Sequence, residues 1–372
     1  MPNQNILLVH LYSNGDSLYA TAVARQIKHD YPNCKLTWAI ASFCKDIIAN
    51  NPYVDAILEV NDVAKLDIKA YRKFKKRILK EEKNGQWDVV FFTNLIDDNQ
   101  ANYDGCTRAS TFRGYPKNIT VPIKPILVLS TAEIQKAKDF ATFHQLEKYK
   151  HIILFEFAPQ SGQSQMTMDF AIQIATQLTV NYEVAIILSS ANKINHPLPQ
   201  IIDGSSLSLR ETAALTHHCT FLLGASSGIT WISTSTAGKQ LPMVQLLNAN
   251  VIWSNPVSRD FERFKLPTNR LIELFDFNGN SIQNCVAQAL VNFDEAKRKY
   301  HQLFPFSFKT TRFIVYNLLT YLQFKSIKRH IQINTQVHGH KFAFYKEVTI
   351  GFLIFPFRLI GNTFRKKILE RK

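Results

Sequence analysis

The opening of the chain constrains its fold more than any other segment. Residues 6–11 form an almost unbroken apolar run, and residues 12–17 are small or polar. A strand buried on both faces of a parallel sheet has this composition. Residues 18–29 then carry apolar side chains at helical spacing. A strand, a short loop and a helix start place side chains at the carboxyl edge of a sheet, where open α/β folds bind ligands. Asp16 is the one ionisable residue of this loop, so it is the first catalytic candidate.

The pattern of the opening recurs along the chain and predicts two α/β domains. A chain of 372 residues exceeds the usual size of a single core. Alternating strands and helices predict parallel sheets covered by helices. The predicted strands are 6–11, 36–40, 56–60, 88–93, 151–155, 184–188, 220–223 and 243–247. We expect one Rossmann-like domain at 1–128, a second at 129–285, and a helical, basic, aromatic-rich region at 286–372.

The spacing of the cysteines and the position of the first strand predict the cellular compartment of the protein. The five cysteines are widely spaced and form no CxxC pair, which favours a reducing environment and argues against disulfides or a zinc site. The first strand begins close to the N-terminus, so no signal peptide is expected. The apolar runs are shorter than the roughly 20 residues of a spanning helix. We therefore predict a cytoplasmic protein.

Positive charge is concentrated in two segments. The net charge is +15, and residues 301–372 contain thirteen Lys or Arg against two Asp or Glu. A second cluster occupies 69–80, on a predicted helix. Such segments attract lipid headgroups, nucleic acid or phosphorylated glycans, or are simply solvated faces. A nucleic-acid partner is not expected, because the interleaved aromatic and Arg motifs of known binding modules are missing.

Three polar loops follow predicted strands of the second half and outline one pocket. A Gly- and Ser-rich loop before a helix lets the backbone approach a phosphate and directs free amides at it. Parallel strands bring their carboxyl ends to one edge, so we expect the three loops to converge. The candidate ligand-binding residues are Ser161, Gly162, Gln163, Ser164, Gln165, Thr167, Ser190, Asn192, Gly224, Ser226, Ser227 and Gly228.

Other polar groups are assigned structural roles. Ser208 and Glu211 have the spacing of a capping box, so Glu211 is expected to cap a helix rather than act as an acid. The pair Asp97-Asp98 resembles a metal-binding DxD motif, but its context favours a solvated loop. The histidines lack companion ligands, and we expect neither a metal nor a cofactor. Asp16 itself has a second reading, as the N-cap of the helix after the first strand.

The motifs quoted so far resemble those of family 9 glycosyltransferases, the heptosyltransferase-like group. The similarity spans roughly residues 5–250. Its N-terminal part consists of Ser13-Asn14-Gly15-Asp16, Tyr31-Pro32 and Asn51-Pro52-Tyr53-Val54-Asp55. Its C-terminal part consists of Ser208-Leu209-Arg210-Glu211, Gly224, Ser227-Gly228 and Gly238-Lys239.

This resemblance implies a GT-B fold, with two Rossmann-like domains facing a cleft. It implies an inverting, metal-independent transfer from a nucleotide sugar, ADP-heptose in the family, to a lipid-linked or cell-surface glycan such as lipopolysaccharide. Asp16 would be the general base, with Ser13, Asn14 and Gly15 in the acceptor-side loop. The Gly224–Gly228 loop would hold the leaving diphosphate.

The donor half departs from the family pattern. Ser226 stands where the family has an acid, and Trp231 stands where it has a histidine. Gln165-Met166-Thr167 lies near the place of the usual Lys-x-Trp-Pro stretch, so the lysine expected at the diphosphate is missing. A different nucleotide sugar therefore remains open, and so does a non-catalytic GT-B-like protein that binds a glycan or a partner enzyme.

The end of the chain predicts contact with a membrane surface. Phe352, Leu353, Phe355, Phe357, Leu359 and Phe364 interleave with Arg358, Arg365, Lys366 and Lys367. Apolar and basic residues mixed in this way are typical of interfacial segments, and each cation near an anionic leaflet contributes ~1 kcal/mol. We expect peripheral association with the inner face of the cytoplasmic membrane. Pro356 predicts that this segment is not one continuous helix.

Overall fold

A computed structural model describes residues 4–157, 166–251, 253, 256–275 and 277–369, with side chains up to residue 356. Two parallel sheets form the framework. The strands are β1 (Asn5–Val9), β2 (Lys35–Ile40), β3 (Ala56–Glu59), β4 (Val89–Phe92), β5 (His151–Glu156), β6 (Val184–Ser189), β7 (Ile201–Asp203), β8 (Phe221–Gly224), β9 (Met243–Leu246) and β10 (Leu271–Leu274).

Helices cover the sheets and build the C-terminal region. They are α1 (Asn14–Asp30), α2 (Ile68–Lys83), α3 (Thr107–Phe112), α4 (Thr131–Phe143), α5 (Met168–Asn181), α6 (Leu209–Leu215), α7 (Gly228–Ser233), α8 (Val257–Arg263), α9 (Gly279–Val291), α10 (Phe293–Tyr300), α11 (Lys309–Thr320), α12 (Phe324–His338) and α13 (Phe342–Leu369). Short 3₁₀ helices occupy Ser42–Ile48, Asp97–Asn102, Leu146–Lys148 and Thr216–His218.

The first sheet has the order β3-β2-β1-β4, with β1 between two parallel neighbours. The side chains of Ile6, Leu7, Leu8 and Val9 are fully buried, which explains the unbroken apolar run of the sequence. The strand order reverses between β1 and β4, so the loop that carries Asp16 leaves the sheet at its switch point.

The second sheet has the order β10-β9-β8-β5-β6-β7. Its order reverses between β5 and β8, which places the residues after both strands at the position where doubly wound sheets bind ligands. The short edge strands β7, of three residues, and β10, of four, were not predicted. The mixed α/β architecture with two parallel sheets agrees with the predicted fold class.

The C-terminal helices pack against the first domain and close a small core of their own. Its members include Ala101 and Tyr103 from the first domain and Ile314, Leu318 and Phe344 from the C-terminal region. Within the described part of the chain, no helix has the length and apolar character needed to cross a membrane.

The expectation that Pro356 prevents one continuous helix in this segment is wrong. The backbone of α13 runs through Pro356 to Leu369. A proline removes one helical hydrogen bond, whereas the preceding turns are held against α11. At Gly351 a Cβ atom would lie 2.7 Å from Cβ of Val315, so the two helices are in close contact there. That contact supports the helix on the N-terminal side of the proline.

The expectation of a solvated loop at Asp97-Asp98 is also wrong. Both residues belong to the 3₁₀ helix Asp97–Asn102, and the side chain of Asp97 is buried. Arg72 of α2 pairs with Asp97 at 3.4 Å, and Lys75 pairs with Asp98 at 2.5 Å. A buried carboxylate needs such partners. The basic face of α2 is therefore partly neutralised within the molecule.

Candidate active site

Asp16 lies in the first turn of α1, at the end of the loop that leaves β1. Ser13 is the N-cap of this helix, so the alternative reading of Asp16 as the N-cap is wrong. The Asp16 carboxylate instead accepts a hydrogen bond from the backbone N–H of Ser13, and its side chain stays partly exposed. Burial raises the pKa of Asp16 to about 6, against the opposing effects of Lys65 and of the Ser13 N–H. A carboxyl group with such a pKa exchanges protons near neutral pH.

The loop before Asp16 is fixed by polar side chains at the sheet's switch point. Asn94, just after β4, accepts a hydrogen bond from Leu11 N at 2.6 Å and donates one to Tyr12 O at 2.8 Å. Nδ1 of His10 lies 2.9 Å from Oγ1 of Thr93. These groups are buried, so the loop enters α1 in one conformation.

The start of α1 faces the second domain. A Cβ atom on Gly15 would lie 3.3 Å from Cδ1 of Trp231 in α7, so a larger residue would press on that ring. The rings of Tyr19 and Trp231 meet edge to face with centroids 5.0 Å apart. The structure thus brings the Ser13–Asp16 loop and the helix after the Gly224–Gly228 loop to the same cleft.

The loop after β8 is held by an internal carboxylate. Glu156, at the end of β5, is buried and accepts hydrogen bonds from Ile229 N and Thr230 Oγ1, both at 3.2 Å, and from Ser227 Oγ. Burial raises the pKa of Glu156, and these donors oppose that shift. Several groups that the sequence offered for a donor phosphate, including the Ser227 hydroxyl, are therefore already used within the protein.

Gln245, on β9, holds the same loop from the other side. Its Oε1 accepts hydrogen bonds from Ser226 N at 2.6 Å and from Thr230 Oγ1 at 3.1 Å. Ser226 has a left-handed backbone with φ of 53°. Gly224 permits this close packing, because a Cβ atom there would lie 2.9 Å from Thr230 Oγ1. Gly228 begins α7 with open space around its Cα.

The remaining donor-side candidates either lie outside the described residues or make only local hydrogen bonds. Ser161, Gly162, Gln163, Ser164 and Gln165 lie outside the described residues. Thr167 is the N-cap of α5, where its side chain accepts a hydrogen bond from Phe170 N. Ser190 accepts one from Asn192 N at 3.0 Å, just after β6. For all of these residues, donor binding stays a prediction.

A cavity of about 490 Å³ opens beside Asn14, between the domains. Arg210 of α6 lines it and joins its walls. The guanidinium donates to Glu133 in α4 at 2.5 Å and to the backbone carbonyl of Asp46 at 2.8 Å. It also donates to Val128 O, in the segment that links the domains, at 2.5 Å. The predicted capping box of Ser208 and Glu211 is confirmed and starts the helix that presents Arg210.

A buried ion pair next to α1 joins the first domain to the second. Arg108 of α3 and Asp260 of α8 approach to 3.0 Å, and both are essentially inaccessible to solvent. The Arg108 guanidinium also lies over the rings of Tyr19 and Trp231, at 4.6 and 5.6 Å from their centroids. The pair and the rings fix the relative position of α1, α3, α7 and α8.

Comparison with solved structures decides the fold. A glycosyl transferase of family 9 from Veillonella parvula DSM 2008 matches with a TM-score of 0.50 and 12% identity, over 80% of this chain and 96% of that one. E. coli ADP-heptose lps heptosyltransferase II matches with a TM-score of 0.50 and 12% identity, over 78% and 99%. The chain has a GT-B fold of the family 9 type. No family model and no curated protein sequence matches the chain.

Some residues of the GT-B cleft were not found from the sequence. Glu156 could have been noticed in the sequence, since it is the only acidic residue in the otherwise apolar strand β5. Arg108 and Asp260 had none, because their pairing joins residues 152 positions apart. No group of three or more His, Cys, Asp or Glu side chains among the described residues has the arrangement of a metal site.

Proposed function

We propose that this protein is a glycosyltransferase that moves a sugar from a nucleotide sugar to a glycan or lipid-linked acceptor, with Asp16 as the general base. The observation that carries the proposal is the setting of Asp16. Its carboxylate is partly exposed near the switch point of the first sheet, has a pKa raised to about 6 and belongs to the residue after Gly15, which meets Trp231 of the second domain. A base with these properties is ionised at neutral pH and still accepts a proton readily.

The proposed reaction is a single displacement with inversion. Asp16 takes the proton of an acceptor hydroxyl while the hydroxyl oxygen attacks the anomeric carbon. The bond from that carbon to the diphosphate oxygen breaks, and the nucleoside diphosphate leaves with the electron pair. We propose that protein groups rather than a metal stabilise the departing charge. The E. coli neighbour is an ADP-heptose lipopolysaccharide heptosyltransferase, and we propose a nucleoside diphosphate sugar as the donor and a lipopolysaccharide-type glycan as the acceptor.

The decisive experiment combines donor binding with the loss of the base. A panel of nucleotide sugars is screened by thermal shift, and transfer to lipid-linked glycans is then assayed with the donor that stabilises the protein. Asp16→Asn should lower kcat by about 10²–10⁴-fold and leave the Kd of the donor nearly unchanged. Asp62→Asn is the matched control, because Asp62 is an exposed carboxylate whose partner is Arg77 at 3.7 Å. Full activity of Asp16→Asn would remove Asp16 as the base.

A non-catalytic role is the second candidate, and Glu156 favours it. The buried carboxylate occupies hydrogen-bond donors that a diphosphate would otherwise use. On this reading the fold binds a glycan or a partner enzyme without turning over a donor. The absence of any thermal shift across the nucleotide-sugar panel, together with binding of a glycan, would favour this candidate over the enzyme.

We also propose that the C-terminal region binds an anionic membrane surface from the cytoplasmic side. The excess of Lys and Arg after residue 300 and the exposed side chains of Phe352 and Leu353 on α13 support this. The double substitution Phe352→Ser/Leu353→Ser should reduce co-flotation with vesicles containing phosphatidylglycerol by severalfold. Val291→Ser, at a still more exposed apolar site on α9, should not. Unchanged flotation of the double variant would contradict the proposal.

A further inference from the structure

Helix α8 carries four charged residues, Arg259, Asp260, Glu262 and Arg263, and within the described residues neither Arg259 nor the exposed Glu262 has an ionic partner. Asp260 pairs with Arg108. Arg263 pairs with Asp104 at 3.2 Å. Arg259 has no carboxylate within ion-pair distance in the described part of the chain, although it is half-buried. A half-buried cation without a counter-ion is costly, and it marks a place where an anion would be stabilised.

The neighbouring acids do not serve as that anion. Glu273 accepts hydrogen bonds from Ser258 N at 3.0 Å and from Ser258 Oγ at 2.5 Å. Asp104 accepts from Arg113 at 2.6 Å as well as from Arg263. Both acids influence Arg259 only from a distance, and burial is the main cause that lowers the pKa of its guanidinium.

Aromatic rings hold the Arg259 side chain in place. Its guanidinium carbon lies 4.5 Å from the ring centroid of Phe306 and 5.9 Å from that of Phe304. Stacking of this kind uses the face of the guanidinium and leaves the N–H donors at its edge free for another ligand. The cation is therefore oriented before any ligand arrives.

Arg259 belongs to the same cleft as Asp16. The ring of Tyr103, from the first domain, packs on Trp253 of the second domain with centroids 5.0 Å apart. Asp260, the residue after Arg259, pairs with Arg108, and the Arg108 guanidinium lies over Trp231, the ring that faces Gly15 beside Asp16. An anion bound to Arg259 would thus lie on α8, at the side of the seam that the second domain contributes.

We propose that Arg259 binds the diphosphate of the nucleotide sugar and stabilises it as the leaving group. This inference rests on the proposed function and deepens it. Charge-assisted, forked hydrogen bonds from a guanidinium match two phosphate oxygens. Arg259 would supply the positive charge that the sequence lacks at the expected lysine position, while the loop after β8 uses several of its donors on Glu156.

The test compares three variants of the full chain by titration calorimetry with ADP, UDP, GDP and inorganic pyrophosphate. Arg259→Gln should weaken binding of the preferred diphosphate at least tenfold, and Arg259→Lys should recover part of the loss. Arg263→Gln is the matched control one turn further along α8, and should change the Kd less than twofold because Asp104 keeps Arg113. Thermal unfolding of Arg259→Gln should stay close to wild type, since no carboxylate loses its partner.

Three outcomes contradict the inference. Unchanged diphosphate binding by Arg259→Gln would overturn it and leave the proposed function standing. An equal loss in Arg263→Gln would show a general effect of charge, and would also overturn it. Failure of the wild-type protein to bind any of the four probes would overturn the inference and the proposed function together.

Discussion

Three acidic side chains with raised pKa values lie close to the cleft, and their surroundings separate their roles. Asp260 has a pKa raised to about 6 by burial, but it is inaccessible and paired with Arg108. Glu156 already accepts hydrogen bonds from the loop after β8 and the start of α7. Asp16 alone of the three remains partly exposed, with a single backbone donor from Ser13. Exposure to solvent, and not the pKa alone, is therefore the reason for proposing Asp16 as the base.

The first prediction is a pH dependence set by Asp16. Its carboxylate must be ionised to accept a proton, so kcat/KM should fall about tenfold per pH unit below pH 6 and level off above it. Lys65 lowers the pKa of Asp16, so Lys65→Gln should move the midpoint of the acid limb to higher pH. Lys69→Gln is the control and should leave it in place. A flat wild-type profile between pH 5 and 7 would contradict the prediction.

At the scale of elements, helices α4 and α6 begin with the same capping motif and are joined by one arginine. Both α4 and α6 begin with a capping box, on Ser130 and Ser208. Arg210 of α6 then bonds Glu133, which is itself part of the α4 box. One residue thus connects two helix starts with the carbonyls of Asp46 and Val128. The Ser208 box was predicted from the sequence, whereas the Ser130 box and the link between the two were not.

The second prediction concerns this link. Arg210→Met leaves Glu133 and several carbonyls without their donor and should lower the free energy of unfolding by about 3 kcal/mol. Lys136→Met removes the more exposed pair with Glu211 on the same two helices and should cost less than about 1 kcal/mol. Denaturant unfolding of both variants measures the difference. Equal values for the two would contradict the assignment of Arg210 as the link.

The pair of Arg210 and Glu133 also predicts how the free energy of unfolding depends on pH. The Arg210 side chain lowers the pKa of Glu133 to about 2. A carboxyl whose pKa falls on folding stabilises the protein above its unfolded pKa, and that contribution is lost as the pH falls toward about 2. The stability of Arg210→Met should therefore decline less than that of the wild type between pH 4.5 and 2.

At the scale of the whole molecule, buried charges and rings join the two domains. Arg108 and Asp260 are withdrawn from water on opposite sides of the seam, and Tyr19 and Trp231 enclose them. An ion pair in such a place costs desolvation, and its geometry restricts how the domains meet. It keeps the start of α1, with Asp16, next to α7.

The third prediction tests this seam. Arg108→Met leaves Asp260 buried and unpaired and should lower the free energy of unfolding by about 3–5 kcal/mol. The double variant Arg108→Met/Asp260→Leu removes both charges and should recover much of that loss. Calorimetric unfolding of the single and double variants measures it. A single variant as stable as the wild type would show that the pair does not hold the domains.

Features that depend only on neighbouring residues could be predicted from the amino-acid sequence. Apolar runs predicted the central strands, Ser and Glu three apart predicted the helix caps, and the loop after β1 placed Asp16 at a sheet edge. These patterns are local because a buried strand or a capped helix imposes its requirements within a few positions. The family resemblance, built on the same local motifs, predicted the GT-B fold.

Only the tertiary structure decided which charges meet. Glu156 reaches the loop after β8 across 71 positions of sequence, and Arg108 reaches Asp260 across 152. Burial of Asp97 beside Arg72, and the isolation of Arg259 between rings, likewise depend on how the C-terminal region packs on the rest. The free energy of a charged group is set by the water and counter-ions that packing leaves around it, and packing is a property of the assembled domains.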